Sequence, residues 1–475
     1  MEPGLVQPTP WMILPFVGLL ALIALAPLFF PDGWSRHYPK VALGLGAVTV
    51  LYYLLGLHAP LRVGHTAQEY VSFIALIGSL FVVSGGIHIA VKGEATPRTN
   101  VVFLGVGAVV ANVIGTTGAS MLLIRPWLRM NHYRVTAHHI VFFIFIVSNV
   151  GGCLTPIGDP PLFLGYLKGV PFWWVAERCG PIWAVGVLIL LGMFYVIDRR
   201  NYLRAPKEVR ARLAEPRDEW RFEGLANLGF LAVILGSVFL THPPFLREGL
   251  MIAAAVGSWF TTRKSIHEAN HFNFHPIREV AILFAGIFAT MIPALDWLEG
   301  NAGRFGAPTP AFFFWGSGAL SSVLDNAPTY LTFLSTAIGS FVDPAAAAQL
   351  IEQVRQQGGD LAAVSGPHAE SLRQALAALA QYFPDALSAR DVSRPQAQMA
   401  LLLGDPILSR CLVALSAGAV FFGANTYIGN GPNFMVKAIA DQKKVHTPTF
   451  LGYVFGYTLP FMLPMLAVVW WLFFR

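Results

Sequence analysis

The stretch LTPIGDPP at residues 154–161 occurs a second time, in the form NTYIGNGP, at residues 425–432. Threonine, isoleucine, glycine, an Asp/Asn position and proline coincide without a gap, and Gly152 before the first copy corresponds to Gly423 before the second. Each copy interrupts a long apolar run, and these runs are 137–168 and 398–440. Because a helix cannot continue regularly through such Gly/Pro clusters, the sequence predicts two broken helices at corresponding positions of an internal repeat.

The rest of the chain has the composition of a membrane protein. Of its 475 residues, 55% are hydrophobic and only 12% are charged, and the mean hydropathy is +0.57. Soluble domains carry roughly 25% charged residues, and a helix needs about 20 apolar residues to cross the hydrocarbon of a bilayer. Regular spans are predicted at 11–30, 40–58, 69–91, 180–197, 225–241, 248–262, 278–298 and 448–473.

Two further apolar stretches, 100–124 and 308–335, carry Gly, Ser, Thr, Asn or Pro at their centres. Irregular backbone at membrane depth survives only where it is buried in protein or lines a cavity. The loop 198–224 holds eight basic residues and is therefore predicted to be cytoplasmic by the positive-inside rule. When the spans are counted outward from this loop, the basic segments beside the other spans all fall on the cytoplasmic side only if both stretches are re-entrant hairpins. The count then closes with ten spanning helices, two opposed hairpins and an N-terminus outside the cell.

These features predict an all-α polytopic membrane protein made of two inverted repeats, each with a re-entrant hairpin and a broken helix. Residues 1–197 form the first repeat, 198–224 a cytoplasmic linker and 225–475 the second repeat. The Ala- and Gln-rich segment 341–397 is interpreted as an exterior insertion of amphipathic helices, with a lid or a homodimer contact as the alternatives. Paired broken helices in inverted repeats indicate a secondary transporter with its site near the midplane.

Two acidic residues, Asp159 and Asp325, lie deep within the irregular segments, one in each half. A carboxylate at the bilayer centre costs at least about 2.5–3.5 kcal/mol, so it needs a cation or a polar partner. Na⁺ prefers oxygen ligands, so both are predicted to bind Na⁺, although each could instead cap a helix. Neutral oxygens for the same predicted ion site come from Asn149, Thr155, Asn326, Asn425, Thr426 and Asn430. For any single amide, the alternative role is to tie the broken backbone together.

Weaker candidates for this site are hydroxyl side chains, because Ser and Thr often bond to their own helix. They are Thr116, Thr117, Ser120 and Ser148. Three histidines, His132, His138 and His139, follow the first hairpin and are interpreted as solvated interfacial side chains outside the site.

A family resemblance rests on three runs, SNVGG at 148–152, TPIGD at 155–159 and SSVLDNAP at 321–328. They resemble the signature motifs of the ion transporter superfamily, which includes NhaD-type sodium/proton antiporters, arsenite permeases and citrate or dicarboxylate carriers. The resemblance covers nearly the whole chain except the insertion. It implies a role in cation transport for Asn149, Asp159, Asp325 and Asn326. Antiporters of this type tend to have threonines after the first aspartate, whereas this chain has two prolines, a variant closer to the citrate transporter branch.

Sodium/proton antiport by alternating access is the leading functional prediction, with Na⁺ and H⁺ as transported ions and no cofactor. The alternative is a cation-coupled carrier of citrate or another carboxylate anion. An enzyme is disfavoured because the breaks carry no metal-ligand cluster or nucleophile–base pair, and a channel because hairpins favour alternating access. The basic residues lie in short loops, which excludes a nucleic-acid partner. The expected location is a bacterial inner (cell) membrane, as a multi-pass protein with the lipid bilayer as partner.

Overall fold

The computed structural model describes residues 7–92, 95–204, 219–240, 243–301, 309–359, 364 and 368–475. In the first half, the helices and the strand are α1 Leu14–Phe29, α2 Pro31–Leu51, α3 Pro60–Gly85, β1 His88–Lys92, α4 Pro97–Met130, α5 Ala137–Ile146, α6 Pro160–Leu167 and α7 Phe172–Arg204.

The second half repeats this helical character. Its elements are β2 Glu219–Glu223, α8 Asn227–Ser237, α9 Leu246–Thr261, α10 Lys264–Ala269, α11 His275–Asn301, α12 Pro310–Ser321, α13 Asn326–Phe341, α14 Pro344–Gln357, α15 Ala369–Tyr382, α16 Pro384–Ser388, α17 Arg394–Gly404, α18 Pro406–Phe422, α19 Gly431–Gln442, α20 Phe450–Tyr453 and α21 Leu463–Phe473. A π-helical segment, Val454–Met462, joins the last two helices into one rod.

Within the described ranges, nine helices are long and apolar enough to cross a membrane, or ten if the bent pair α13 and α14 counts as one span. The predicted all-α polytopic membrane fold is thereby confirmed, and this count includes α4 and α13, which belong to the two hairpins. One predicted span, 225–241, is shorter than expected, since α8 has 11 residues, whereas α9, with 16 residues, covers nearly all of the predicted 248–262.

The first hairpin is a single kinked segment, α4. A straight helix of its 34 residues would be about 50 Å long. Instead Gly115 leaves the helical conformation with φ 75° and ψ 156°, and the two ends of the segment meet. The backbone N–H of Ala95 donates to the carbonyl of Met130 over 3.0 Å, and Asn100 donates to Asn131 over 2.8 Å. The segment therefore returns to the side from which it entered, as a re-entrant hairpin does.

The second hairpin consists of α12 and α13, joined by the tip 322–325. The rings of Phe312 and Phe333 lie 5.7 Å apart, and those of Phe313 and Phe341 lie 6.1 Å apart. Because the beginning of α12 thus contacts the end of α13, the two arms are antiparallel neighbours. The bend of 82° between α13 and α14 then leads the chain into the insertion.

Both broken helices are present. In the first, α5 gives way to a 3₁₀ turn at Val150–Leu154 before α6 begins at Pro160. In the second, α18 gives way to a 3₁₀ turn at Gly423–Asn425 before α19 begins at Gly431. The second broken helix starts later than the predicted 398, because Asp405 caps α18 by accepting from the amide of Ile407 and separates it from α17.

The broken helices form the centre of the protein and the first helices its periphery. In the spans that contain the breaks, Ala137–Leu154 and Pro406–Asn425, 89% and 83% of residues are buried, against 22% in Pro10–Pro27. At the periphery, α2 and α11 pack closely through small residues, since a Cβ added to Gly286 would lie 2.7 Å from the carbonyl oxygen of Ala42. Small residues permit such close approach between membrane helices.

Three local expectations differ from the structure. The basic segment 31–40 is the beginning of α2 rather than a loop, because Pro31 at the first turn is compatible with helix initiation. The linker 198–224 begins inside α7, which continues to Arg204, and ends in β2. Strand β2 pairs antiparallel with β1, so the end of the predicted span 69–91 is a strand. Residues 205–218 of the linker lie outside the described residues. The repeat boundaries 1–197 and 225–475 stay a prediction.

The insertion 341–397 is helical where it is described, as expected. Helix α15 buries Leu372, Leu376 and Leu379 along one face, and this face packs against α17. Gly404 allows the approach, since a Cβ there would lie 2.7 Å from the backbone of Gln374. The exterior position of the insertion stays a prediction, as does a lid or homodimer role.

Candidate functional site

Each break is closed by a pair of glycines at corresponding positions. A Cβ added to Gly158 would overlap the carbonyl oxygen of Gly152, and one added to Gly429 would lie 2.6 Å from the carbonyl oxygen of Gly423. These are the glycines that correspond in the sequence repeat. The close backbone contact across each break therefore requires glycine at both ends of it.

A threonine in each break anchors it to the tip of the hairpin of the same half. Thr155 donates its hydroxyl to the carbonyl of Asn112 in the first hairpin over 2.7 Å. Thr426 donates to the carbonyl of Ser322 in the second hairpin over 2.6 Å. The structure therefore places these two predicted site residues at the joints between break and hairpin, where their hydroxyls satisfy backbone oxygens.

Asp159 lies at the centre of all four irregular segments and is completely buried. Its Oδ1 accepts from the hydroxyl of Thr116 in the first hairpin over 2.7 Å and from the amide of Asn430 in the second break over 3.1 Å. Its Oδ2 accepts a short hydrogen bond from the amide of Asn326 in the second hairpin. Three separate elements thus contribute donors to one carboxylate, and Asp159 contacts Asn430, its own counterpart in the repeat.

A cluster of buried amides continues from this carboxylate. Asn430 also donates to Oδ1 of Asn149 over 3.1 Å, and Asn149 donates to Oδ1 of Asn433 over 2.7 Å. Asn433 in turn donates to the carbonyls of Gly423 and Thr426. Asn433 was not predicted, because it follows the repeated motif and its counterpart in the first copy is the apolar Leu162. Among the weaker candidates, Thr116 joins Asp159 directly.

Two amide oxygens in the second half are buried without a hydrogen-bond partner among the described residues. They are Oδ1 of Asn326 and Oδ1 of Asn425. The amide nitrogen of Asn326 donates to Asp159, and that of Asn425 donates to Ser322 over 2.9 Å, so both amides are held with an acceptor unused. A buried acceptor without a donor is unfavourable, and such an oxygen is suited to a cation.

Asp325 occupies a different position from Asp159. It is half-buried and caps α13 by accepting from the amide of Ala327 over 3.1 Å. Its sequence neighbour Asn326, rather than Asp325 itself, bonds to Asp159. The observed hydrogen bonds give Asp325 a capping contact. Binding of Na⁺ by both carboxylates stays a prediction.

No Lys or Arg among the described residues forms an ion pair or hydrogen bond with either carboxylate. Beside the tip of the first hairpin lies a cavity of about 20 Å³, lined mostly by apolar side chains such as Leu80, Ile114 and Phe163, with Thr116 and Thr117 as its polar side chains. Such a volume holds about one water-sized species. The arrangement therefore offers oxygen atoms and one negative charge to a small cation or a proton.

A second polar cluster lies at the other end of the first hairpin. Asp198 of α7 pairs with Arg134 and accepts from Asn100 over 2.9 Å, and Nε2 of His138 and His139 lie 3.5 and 3.1 Å from its Oδ1. Both histidines are buried, so the expectation that they are solvated is wrong; the hairpin ends and α7 enclose them. Because the Arg134 guanidinium already neutralises Asp198, the cluster fixes the hairpin to α7 and is unfavourable for a metal ion.

Comparison with known families agrees with this architecture. A family model described as "Putative citrate transport" matches residues 6–474, nearly the whole chain. No curated protein matches the chain.

Proposed function

The chain belongs to this citrate-transport family, and we propose that it is a secondary transporter that exchanges Na⁺ for protons at Asp159. The observation that carries the proposal is the environment of this carboxylate. It is completely buried, receives hydrogen bonds from Thr116, Asn326 and Asn430, and has no basic partner among the described residues.

A buried carboxylate without a basic partner is costly at membrane depth. A proton removes its charge, and a Na⁺ ion balances it. Because the two cations use the same oxygen atoms, binding of one displaces the other. Exchange then follows if the loaded site opens alternately to the two sides of the membrane, and no additional coupling device is needed.

The donors around Asp159 come from both hairpins and from the second break, so the set of ligands depends on the position of these elements relative to the first break. A movement of the second hairpin changes the contact of Asn326, and a movement of the second break changes that of Asn430. A cation that binds one arrangement more tightly than the other shifts the population toward it. This dependence links occupancy of the site to alternating access.

The second candidate is a cation-coupled carrier of citrate or a related carboxylate, which the family description favours. The N-terminal ends of half-helices bind anions through free N–H groups. In α6 the first two positions, Pro160 and Pro161, have no N–H group, whereas α19 begins with Gly431, which has one. An anion would therefore bind at the second break, with the cation at Asp159 offsetting its charge.

Transport by the purified protein in liposomes separates the two candidates. In vesicles without organic anions, an outward Na⁺ gradient should drive proton uptake by the wild type and not by Asp159→Asn. The matched control is Asp343→Asn, since Asp343 is an exposed helix cap in the insertion. If anion-free exchange is absent while the vesicles accumulate labelled citrate with Na⁺, the carrier replaces the antiporter.

The orientation and assembly follow from sequence arguments. We propose that the cytoplasmic side is the one that holds 198–224, in a bacterial inner membrane, with the N-terminus outside. A cysteine placed at the exposed position 132, beside the inner end of the first hairpin, should then be labelled from the cytoplasm. Labelling of residue 132 from outside only would reverse the topology. A homodimer through the insertion is the corresponding proposal for assembly.

A further inference from the structure

A cleft of about 560 Å³ lies between the insertion and the ends of three membrane helices. One wall is the polar face of α15, with Gln374, Gln381 and Tyr382. The other wall comes from the N-terminal parts of α7 and α18 and from the end of α21. These helix ends lie opposite the C-terminal end of α7, because α7 runs from the cleft to Arg204.

The charge of the cleft is positive. Arg178 of α7 and Arg410 of α18 line it, and the lining includes no acidic side chain among the described residues. Arg410 is engaged through two nitrogens, since its Nε donates to the carbonyl of Phe473 over 2.7 Å and its Nη2 to the backbone oxygen of Arg475 over 3.0 Å. Arg178 is exposed and has no hydrogen-bond or ion-pair partner in the described part of the chain. One guanidinium is therefore held in place, and the other is available to an anion.

The floor of the cleft is apolar. Ile182, Val413 and Phe474 contribute buried side chains to it. A small soluble anion would not bury apolar surface on this floor. A molecule with an anionic head and a hydrocarbon chain matches both the arginines and the apolar floor. The position at the ends of membrane helices is also the depth at which lipid headgroups lie, where a guanidinium can form charge-assisted hydrogen bonds with a headgroup phosphate.

We propose that this cleft binds an anionic phospholipid, with the phosphate at Arg178 and Arg410 and the first carbons of the acyl chains on Ile182, Val413 and Phe474. The lipid fills the gap between α15 and the helices beneath it, which gives the insertion a role in attaching this face of the protein to the bilayer. The proposal does not depend on the transported substrate.

The test measures the lipid that remains bound to the full-length protein. Wild type and variants are reconstituted in phosphatidylcholine mixed with phosphatidylglycerol, extracted in mild detergent and analysed by native mass spectrometry. We expect the wild type to retain phosphatidylglycerol in preference to phosphatidylcholine. Loss of one guanidinium in Arg178→Gln should lower this preference by roughly fivefold, and Arg178→Lys should restore most of it.

Arg355→Gln is the matched control, because Arg355 lies in the insertion, is exposed and, within the described ranges, pairs with Glu352 alone. The lipid preference of this variant should equal that of the wild type. The proposal is overturned if the wild type shows no preference, or if Arg178→Gln and Arg355→Gln lose lipid equally. It is also overturned if citrate or the water-soluble headgroup glycerophosphoglycerol displaces the lipid at similar concentration, since the cleft would then be a site for soluble anions.

Discussion

The two breaks have the same backbone design and differ in one charge. Each joins a 3₁₀ turn to a half-helix, each closes through a pair of glycines six positions apart, and each is anchored to its hairpin by a threonine. The last helical segment of each half also donates a side-chain hydrogen bond to the break. Trp183 of α7 donates to the carbonyl of Gly151 over 2.8 Å, and Thr458 of the π-helical segment donates to that of Asn425 over 2.7 Å. At the centre, however, Asp159 stands in the first break and Asn430 in the second.

This comparison separates the residues that build the site from those that give it chemistry. The shared glycines permit the close backbone contact across each break, and the shared threonines donate to carbonyls of the hairpins. Asp159 and Asn430, the corresponding residues that differ between the two breaks, are in direct contact, with the amide of Asn430 donating to Asp159 over 3.1 Å. The repeat therefore provides two similar supports for a single negative charge.

The largest effect is expected from removing that charge. Asp159→Asn should lower transport by at least about 100-fold, equivalent to about 2.7 kcal/mol, because the site loses the charge that balances Na⁺ and the group that binds the proton. The protein should still fold, since an amide is nearly isosteric with the carboxylate. The double variant Asp159→Asn, Asn430→Asp moves the charge across the contact and should regain part of the activity. Liposome flux measurements check both, and a fully active Asp159→Asn variant contradicts the role of the charge.

The shared glycines should control stability in both halves. Gly158→Ala and Gly429→Ala force a Cβ against backbone of the opposite side of the break, which should cost about 1–3 kcal/mol. Gly431→Ala is the control, because a Cβ there meets nothing within 4 Å. Thermal unfolding in detergent should rank the control near the wild type. Equal melting of all three variants would show that the close contact across the break is not needed.

The two carboxylates can be compared through Asp325. Asparagine caps helices about as well as aspartate, so Asp325→Asn should keep the stability of α13 and test the charge alone. We expect transport to fall by about tenfold, equivalent to about 1.4 kcal/mol. Asp325→Ala should lose a further ~1 kcal/mol of stability with the cap. Wild-type flux in Asp325→Asn would leave Asp325 with the capping role only.

The smallest effects concern the joints between break and hairpin. Thr155→Val leaves one carbonyl without its hydroxyl donor, at a cost of about 1 kcal/mol, and transport should persist. Thr426→Val should be less stable, because the Thr426 hydroxyl also accepts from the amides of Ile428 and Gly429 over 3.3 and 3.1 Å. Thr261→Val is a suitable control, because that hydroxyl donates to Gly257 in its own helix over 2.8 Å. Unfolding temperatures in detergent should therefore fall in the order Thr261→Val, Thr155→Val, Thr426→Val. A Thr426→Val variant as stable as the control would contradict the role of this joint.

The sequence was sufficient for the breaks and hairpins, because Gly/Pro clusters within apolar runs have few solutions inside a membrane. It could not reveal that Asp159 accepts from Asn430, since that contact depends on how the two halves pack. Asn433 was missed for the same reason: its role arises from the carbonyls of Gly423 and Thr426, which only the folded break presents. The burial of His138 and His139 depends on α7, which is distant in the sequence.

The most direct test of the central claim is proton release by the purified protein on addition of Na⁺, recorded with a pH indicator in weakly buffered detergent solution. If Na⁺ and protons compete for Asp159, the wild type releases protons when Na⁺ is added, whereas K⁺ or choline at equal ionic strength does not release them. Asp159→Asn should release none, and Asp343→Asn should match the wild type. Undiminished Na⁺-dependent release by Asp159→Asn, or no release by the wild type, would contradict the account.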